Sequence, residues 1–88
     1  MEIIKVGFIG FGKTGKEAIV PFIEDDTIDI SWVIKHTNEF QYQYASKILL
    51  HPSQKGKIFP LSDFNEQFIK DNPVSVIVDF SDESFIEY

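Results

Sequence analysis

Eighty-eight residues, 43% of them hydrophobic and 25% charged, describe a globular chain of single-domain size and exclude a disordered or fibrous one. Cysteine is absent, which removes a disulfide framework and a thiolate metal site; His36 and His51 stand far apart without clustered partners, which argues against a zinc centre. Eight lysines, no arginine and fourteen acids give a net charge of −6, so nucleic acid is not an expected partner, and any phosphate must be held by backbone amides, lysines or hydroxyls.

Ile3 to Ile9 is short, apolar and β-branched, closes on Gly10, and is predicted to be a buried strand. Gly10 to Gly15 is a glycine-rich turn. From Lys13 to Glu24, Ala18, Ile19, Phe22 and Ile23 recur at helical spacing, so a helix is predicted, kinked or shortened by Pro21. Asp25-Asp26 ends it in a polar turn. Ile28 to Ile34 predicts a second strand, with Ile28, Ile30, Trp32 and Ile34 in alternation. Phe40, Tyr44, Ala45, Ile48 and Leu49 share a helical face, with Asn38 as the N-cap candidate. His51 to Lys57 carries Pro52, Ser53 and Gly56 and reads as a loop.

Ile58 to Leu61 predicts a short strand, at an edge because Pro60 cannot donate to a ladder. Ser62 or Asp63 is expected to cap a helix carrying Phe64, Phe68 and Ile69, which Asn72-Pro73 ends. Val74 to Phe80 predicts a fourth strand, and Ser81-Asp82-Glu83 reads as a further helix start. Strands alternating with helices imply an α/β fold: a Rossmann-like open parallel sheet of about four strands with flanking helices, truncated after the fourth. One domain over residues 1–88 is expected. No apolar run approaches the ~20 residues that span a bilayer, and the amino terminus has no signal-peptide pattern, so a cytoplasmic protein without a membrane partner is expected.

The first strand ends in Gly10-Phe11-Gly12-Lys13-Thr14-Gly15, a complete G-x-G-x-x-G, with a helix after it and a second strand beyond. In a dinucleotide site each glycine has a task. Gly10 permits the tight turn, Gly12 lets a pyrophosphate approach the backbone, and Gly15 lets the helix pack on the strand. The free amides and positive dipole end of the helix then face the anion, with Lys13 and Thr14 able to add a charge or a hydroxyl. The alternative is an ordinary strand-to-helix turn whose glycines serve geometry alone.

About 20 residues past such a loop, NAD-preferring sites place an acid on the ribose 2′-OH. Lys35 stands there, followed by His36, with Glu39 several residues late. A lysine at that place pairs with a 2′-phosphate, or it is a solvated strand-end residue; His36 is a ligand contact or a bystander. The charge leans the cofactor toward NADP, with NAD open. At the end of the fourth strand, Phe80 and Ser81 are expected near the glycine loop, since ligands sit outside the carboxyl ends of strands at a switch point. Asp79 interrupts an apolar strand and either needs donors in a buried place or caps the following turn.

Val6-Gly7-Phe8-Ile9-Gly10-Phe11-Gly12-Lys13-Thr14-Gly15, together with Val76-Ile77-Val78-Asp79-Phe80-Ser81, resembles the amino-terminal domain of dihydrodipicolinate reductase. The resemblance implies an NAD(P)-binding domain of an oxidoreductase that passes hydride to a cyclic intermediate of lysine biosynthesis. Onto this chain it carries Gly10, Gly12, Lys13, Thr14 and Gly15 as the cofactor loop, Lys35 as the second strand's end, and Phe80 and Ser81 as the nicotinamide side; Phe11 and His36, beside them in sequence, are cofactor candidates by position alone. Lys35 departs from the acid common in the family. The family's catalytic motif and substrate loop lie downstream of the matched residues, so no catalytic residue is assigned and the chain alone is expected to be inactive. The other readings are a non-catalytic nucleotide-binding or sensor module and the cofactor domain of another dehydrogenase family. A sheet left open near Val76 and Val78 further predicts homo-oligomerisation through the fourth strand.

Overall fold

The structure, a computed structural model, describes residues 2–80. Its elements are β1 (Ile4–Ile9), α1 (Lys13–Glu24), β2 (Ile28–Lys35), α2 (Ala45–Ile48), β3 (Ile58–Pro60), a 3-10 turn (Leu61–Asp63), α3 (Glu66–Asp71) and β4 (Val76–Asp79). The strands form one four-stranded sheet in the order β3-β2-β1-β4, and every neighbouring pair is parallel. The expected open parallel α/β sheet is therefore present, with β4 beside β1 and β3 at an edge as Pro60 requires.

Over β1 and β2 both sheet faces are packed, which is the usual condition of parallel strands. On one face Phe8, Ile30, Val33 and Ile58 pack with Ile19 and Ile23 of α1 and with Ala45 of α2. On the other, Trp32 lies fully buried against Phe64 and Phe68, at ring-centroid distances of 5.4 and 5.6 Å. The indole N–H donates to the Asn72 carbonyl at 3.0 Å, so its polar atom is satisfied. A Cβ on Gly7 would fall 2.2 Å from the Trp32 ring, so the smallest residue of β1 seats the largest side chain of the core.

Several elements depart from their sequence expectation. The alternation Ile28, Ile30, Trp32, Ile34 does not share one face. Register shifts between Val6 and Gly7, where Val6 pairs with Ile30 but Gly7 pairs with Trp32. Ser31 is the extra residue, and it turns Trp32 toward α3 while Ile30 and Val33 face α1. The second helix is a single turn beginning at Ala45; Asn38 caps nothing, and Phe40 and Tyr42 take left-handed φ of 61° and 65°. Tyr42 N–H donates to Ile58 O at 2.7 Å, and Ile58 N–H to Gln43 O at 2.7 Å, so this segment lines the outer edge of β3 instead of coiling.

The third helix is capped by neither Ser62 nor Asp63, which belong to the 3-10 turn. Asn65 is the cap, its side chain accepting from the Phe68 amide at 2.8 Å, and Phe64 lies ahead of the helix. Pro21 does not shorten α1, which runs on to Glu24. The carbonyl that Pro21 leaves without a partner belongs to Glu17, which is exposed and open to water. Two apolar residues of β4 stay half exposed, Val76 at 47% and Ile77 at 46%. The expected helix start at Ser81-Asp82-Glu83 lies outside the described residues. Among the described residues no helix is long and apolar enough to cross a membrane.

Candidate functional site

A cleft of about 440 Å³ opens at the carboxyl ends of β1, β2 and β4, over the start of α1. It is lined by Gly10, Phe11, Gly12, Lys13, Thr14, Gly15, Lys35, His36, Thr37, Asp79 and Phe80. Every site residue expected from the sequence and lying within the described residues is in that lining. Ser81, the remaining one, lies outside them. Thr37 and Asp79 are additions. Thr37 continues the β2 end that Lys35 and His36 begin, and its place there was its only signal. Asp79 is exposed at the cleft, not buried in the strand, and the capping reading concerns residues that are not described.

The loop is pinned at its root. Gly10 N–H donates to Ile34 O at 2.9 Å, and Phe80 N–H donates to Ile9 O at 2.7 Å, so the ladder holds β1 on both sides as it enters the turn. Gly10 then takes φ 103°, a conformation that L side chains rarely adopt. A Cβ on Gly15 would lie 2.2 Å from the Gly10 carbonyl oxygen, so the first turn of α1 rests on the loop's own backbone. Both glycines are demanded by the fold.

Gly12 is different. Its φ of −84° and ψ of −159° are ordinary extended values, and a Cβ there would meet nothing within 4 Å. The fold has no need of a glycine at that position. It is the N-cap of α1, without a side-chain cap, and no acidic residue stands in the first helical turn. The Lys16 N–H to Gly12 O bond of 2.9 Å is the first of the helix, which leaves the amides of Lys13, Thr14 and Gly15 ahead of the intrahelical ladder. The positive helix end and amides outside the helical ladder therefore coincide with open space around Gly12 among the described residues.

Lys35 ends β2 with its side chain 12% exposed. Its ammonium donates to the Phe11 carbonyl at 3.1 Å and lies 3.5 Å from a Glu39 carboxylate oxygen. Phe11 is buried, and its ring meets that of Phe40 edge-on at 6.4 Å. Lys16 lies over the Phe40 ring at 5.2 Å and over Phe11 at 5.7 Å. Phe80 stacks on Phe8 at 5.5 Å and closes the β4 side of the floor. The lining carries Lys13, Lys35 and Asp79, and Lys35 is paired with Glu39 at the cleft's edge. No family model, curated protein or solved structure matches the chain.

Proposed function

We propose that the chain is a dinucleotide-binding domain that holds NADP or NAD in this cleft. The observation that carries the reading is Gly12. It is a glycine where neither backbone angle nor packing requires one, set at the uncapped start of a helix among residues that line an open cleft. A cradle for a pyrophosphate needs that arrangement: no Cβ, free amides and a positive helix end. The cleft volume of about 440 Å³ falls within the range of small-ligand sites.

In this reading Gly12 and the amides of Lys13 and Thr14 hold the pyrophosphate. The β2 end, with Lys35 and His36, faces the adenosine ribose, and Phe80 borders the nicotinamide side. Lys35 stands at the β2 end where NAD-preferring sites place an acid on the ribose, so the strand end itself offers no selection for NAD, and the preference leans to NADP. The bound nicotinamide supplies hydride; the chain's own residues bind and orient it. Among dinucleotide-binding families, Val6 to Gly15 and Val76 to Phe80 favour dihydrodipicolinate reductase, whose substrate is a cyclic intermediate of lysine biosynthesis. A cytoplasmic location goes with that reading. A nucleotide sensor, or the cofactor domain of another dehydrogenase line, would use the same cleft; the Asp79-Phe80 strand ending is what tilts the choice.

Titration with NADPH and NADH, followed by nicotinamide fluorescence, tests the site. Binding of either, abolished by Gly12→Val in a protein of unchanged circular dichroism, is the expected result. Absence of binding of both at millimolar concentration overturns the reading.

A further inference from the structure

We propose that Lys35 is a positioning residue that sets the glycine loop for pyrophosphate, and that it does not read the 2′-phosphate; the inference rests on the dinucleotide reading of the cleft. Its side chain is 12% exposed, and its ammonium has two partners: the Phe11 carbonyl at 3.1 Å and Glu39 at 3.5 Å. To meet a 2′-phosphate squarely it would leave both, and the Glu39 carboxylate beside it would repel the incoming anion.

The bond to Phe11 has a stereochemical consequence. The Phe11 carbonyl and the Gly12 N–H belong to one planar trans peptide and point in opposite directions. Fixing the carbonyl on Lys35 fixes the aim of the Gly12 amide. Phe11 is held a second time through its ring, buried against Phe40 beneath Lys16. The one residue between Gly10 and Gly12 is thus anchored by both side chain and backbone. A loop of this glycine content loses much conformational freedom when it closes on a ligand, and an anchor already in place reduces that cost.

The experiment compares Lys35→Met and Lys35→Arg with the wild type, using NADH and NADPH as probes. Lys35→Met should weaken both cofactors by a similar factor, about 10- to 100-fold, as for loss of one charge-assisted hydrogen bond. The NADPH-to-NADH ratio should hold, and Lys35→Arg, which keeps a donor for Phe11, should restore both affinities to within about twofold. In ¹⁵N–¹H spectra of the unliganded variant, shifts should concentrate at the amides of Phe11, Gly12 and Lys13; a general loosening would also move those of β3 and α3. If Lys35→Met does not fold, Lys35→Gln, neutral and still able to donate, is the second variant and should lose less than the lysine's full contribution. A loss confined to NADPH, or unchanged affinity for both, overturns the proposal and leaves the dinucleotide site standing. Failure of the wild type to bind either cofactor overturns the site reading itself, and the inference with it.

Discussion

Gly12 and Gly15 stand one helical turn apart and answer to different constraints. At Gly15 an added methyl would meet the Gly10 carbonyl oxygen at 2.2 Å and its carbon at 2.8 Å, and both are backbone atoms that cannot rotate away. Gly15→Ala should therefore cost about 1–3 kcal/mol, the range of overpacked sites, measured by urea denaturation. Gly12→Ala, with open space around the same methyl, should cost less, up to about 1 kcal/mol for the poorer N-cap residue. Equal costs at the two positions would contradict the division of labour drawn between them. Asp25 offers a test of another kind. It closes α1 and accepts from Thr27 twice, from the hydroxyl at 2.6 Å and from the amide at 2.8 Å. The Thr27 hydroxyl first, then the amide, then the charge of Lys55 hold its carboxyl below the ordinary value. Because the folded-state value is lowered, the unfolded chain takes up this proton first as pH falls. The stabilisation is complete at neutral pH and is lost between the ordinary carboxylate value and the lowered one. Thr27→Val should move the Asp25 titration upward in an NMR pH series and shrink that acid-side contribution; an unmoved titration counts against the hydroxyl's role. The glycine roles were legible in the sequence because strand, turn and helix leave little choice at each position. The Lys35 bond to Phe11 was not, since it joins residues 24 apart through a backbone carbonyl whose direction no pattern encodes.

Elements whose period is unambiguous form where the sequence places them, and those with competing partners do not. The apolar stripe of α1 and the β-branched runs of β1 and β4 each have a single compatible surface. Phe40, Tyr44, Ala45, Ile48 and Leu49 match a helix just as well, yet only Ala45–Ile48 coils. Helix propensity is a weak prior, and here an unpaired strand edge competes for the same backbone. Tyr42 and Gln43 hydrogen-bond to Ile58, and the Tyr42 hydroxyl donates to Asp63 at 2.8 Å, although Tyr42 then occupies a left-handed conformation. The bulge at Ser31 was equally invisible, because Trp32-Val33-Ile34 beyond it is apolar at every position and fits either register. The two sheet edges end up unequal. That of β3 is lined by the 42–46 segment and carries Pro60. That of β4 has no lysine, proline or bulge, and Val76 and Ile77 are about half exposed. We propose that copies of the chain associate through β4. Light scattering at high micromolar concentration should show a species larger than a monomer, and Ile77→Lys should return it to one. A wild type that stays monomeric there overturns the proposal.

At the scale of the molecule, the order β3-β2-β1-β4 brings distant stretches of chain to one place. The alternating pattern anticipated the parallel sheet, Pro60 the edge place of β3, and the switch-point rule the fourth strand's end near the glycine loop. With β1 between β2 and β4, the glycine loop lies beside Lys35, His36 and Thr37 on one side and Asp79 and Phe80 on the other. A ligand in the cleft would therefore touch three strand ends and the start of α1 together. Those contacts exist only in the folded chain, so binding should raise global stability and not merely order the loop. At a free cofactor concentration ten times the dissociation constant the gain is about 1.4 kcal/mol. In a domain of this size that corresponds to a rise in Tm of about 5–10 °C, readable by differential scanning calorimetry with NADPH or NADH. Gly12→Val should melt near the wild-type temperature without cofactor and gain nothing from its addition, because the new side chain occupies the space beside the free amides. An equal rise in that variant would place the cofactor elsewhere on the molecule. No rise in the wild type, at concentrations where nicotinamide fluorescence reports saturation, would mean that the cofactor binds the unfolded chain as well and that the folded cleft is not its site.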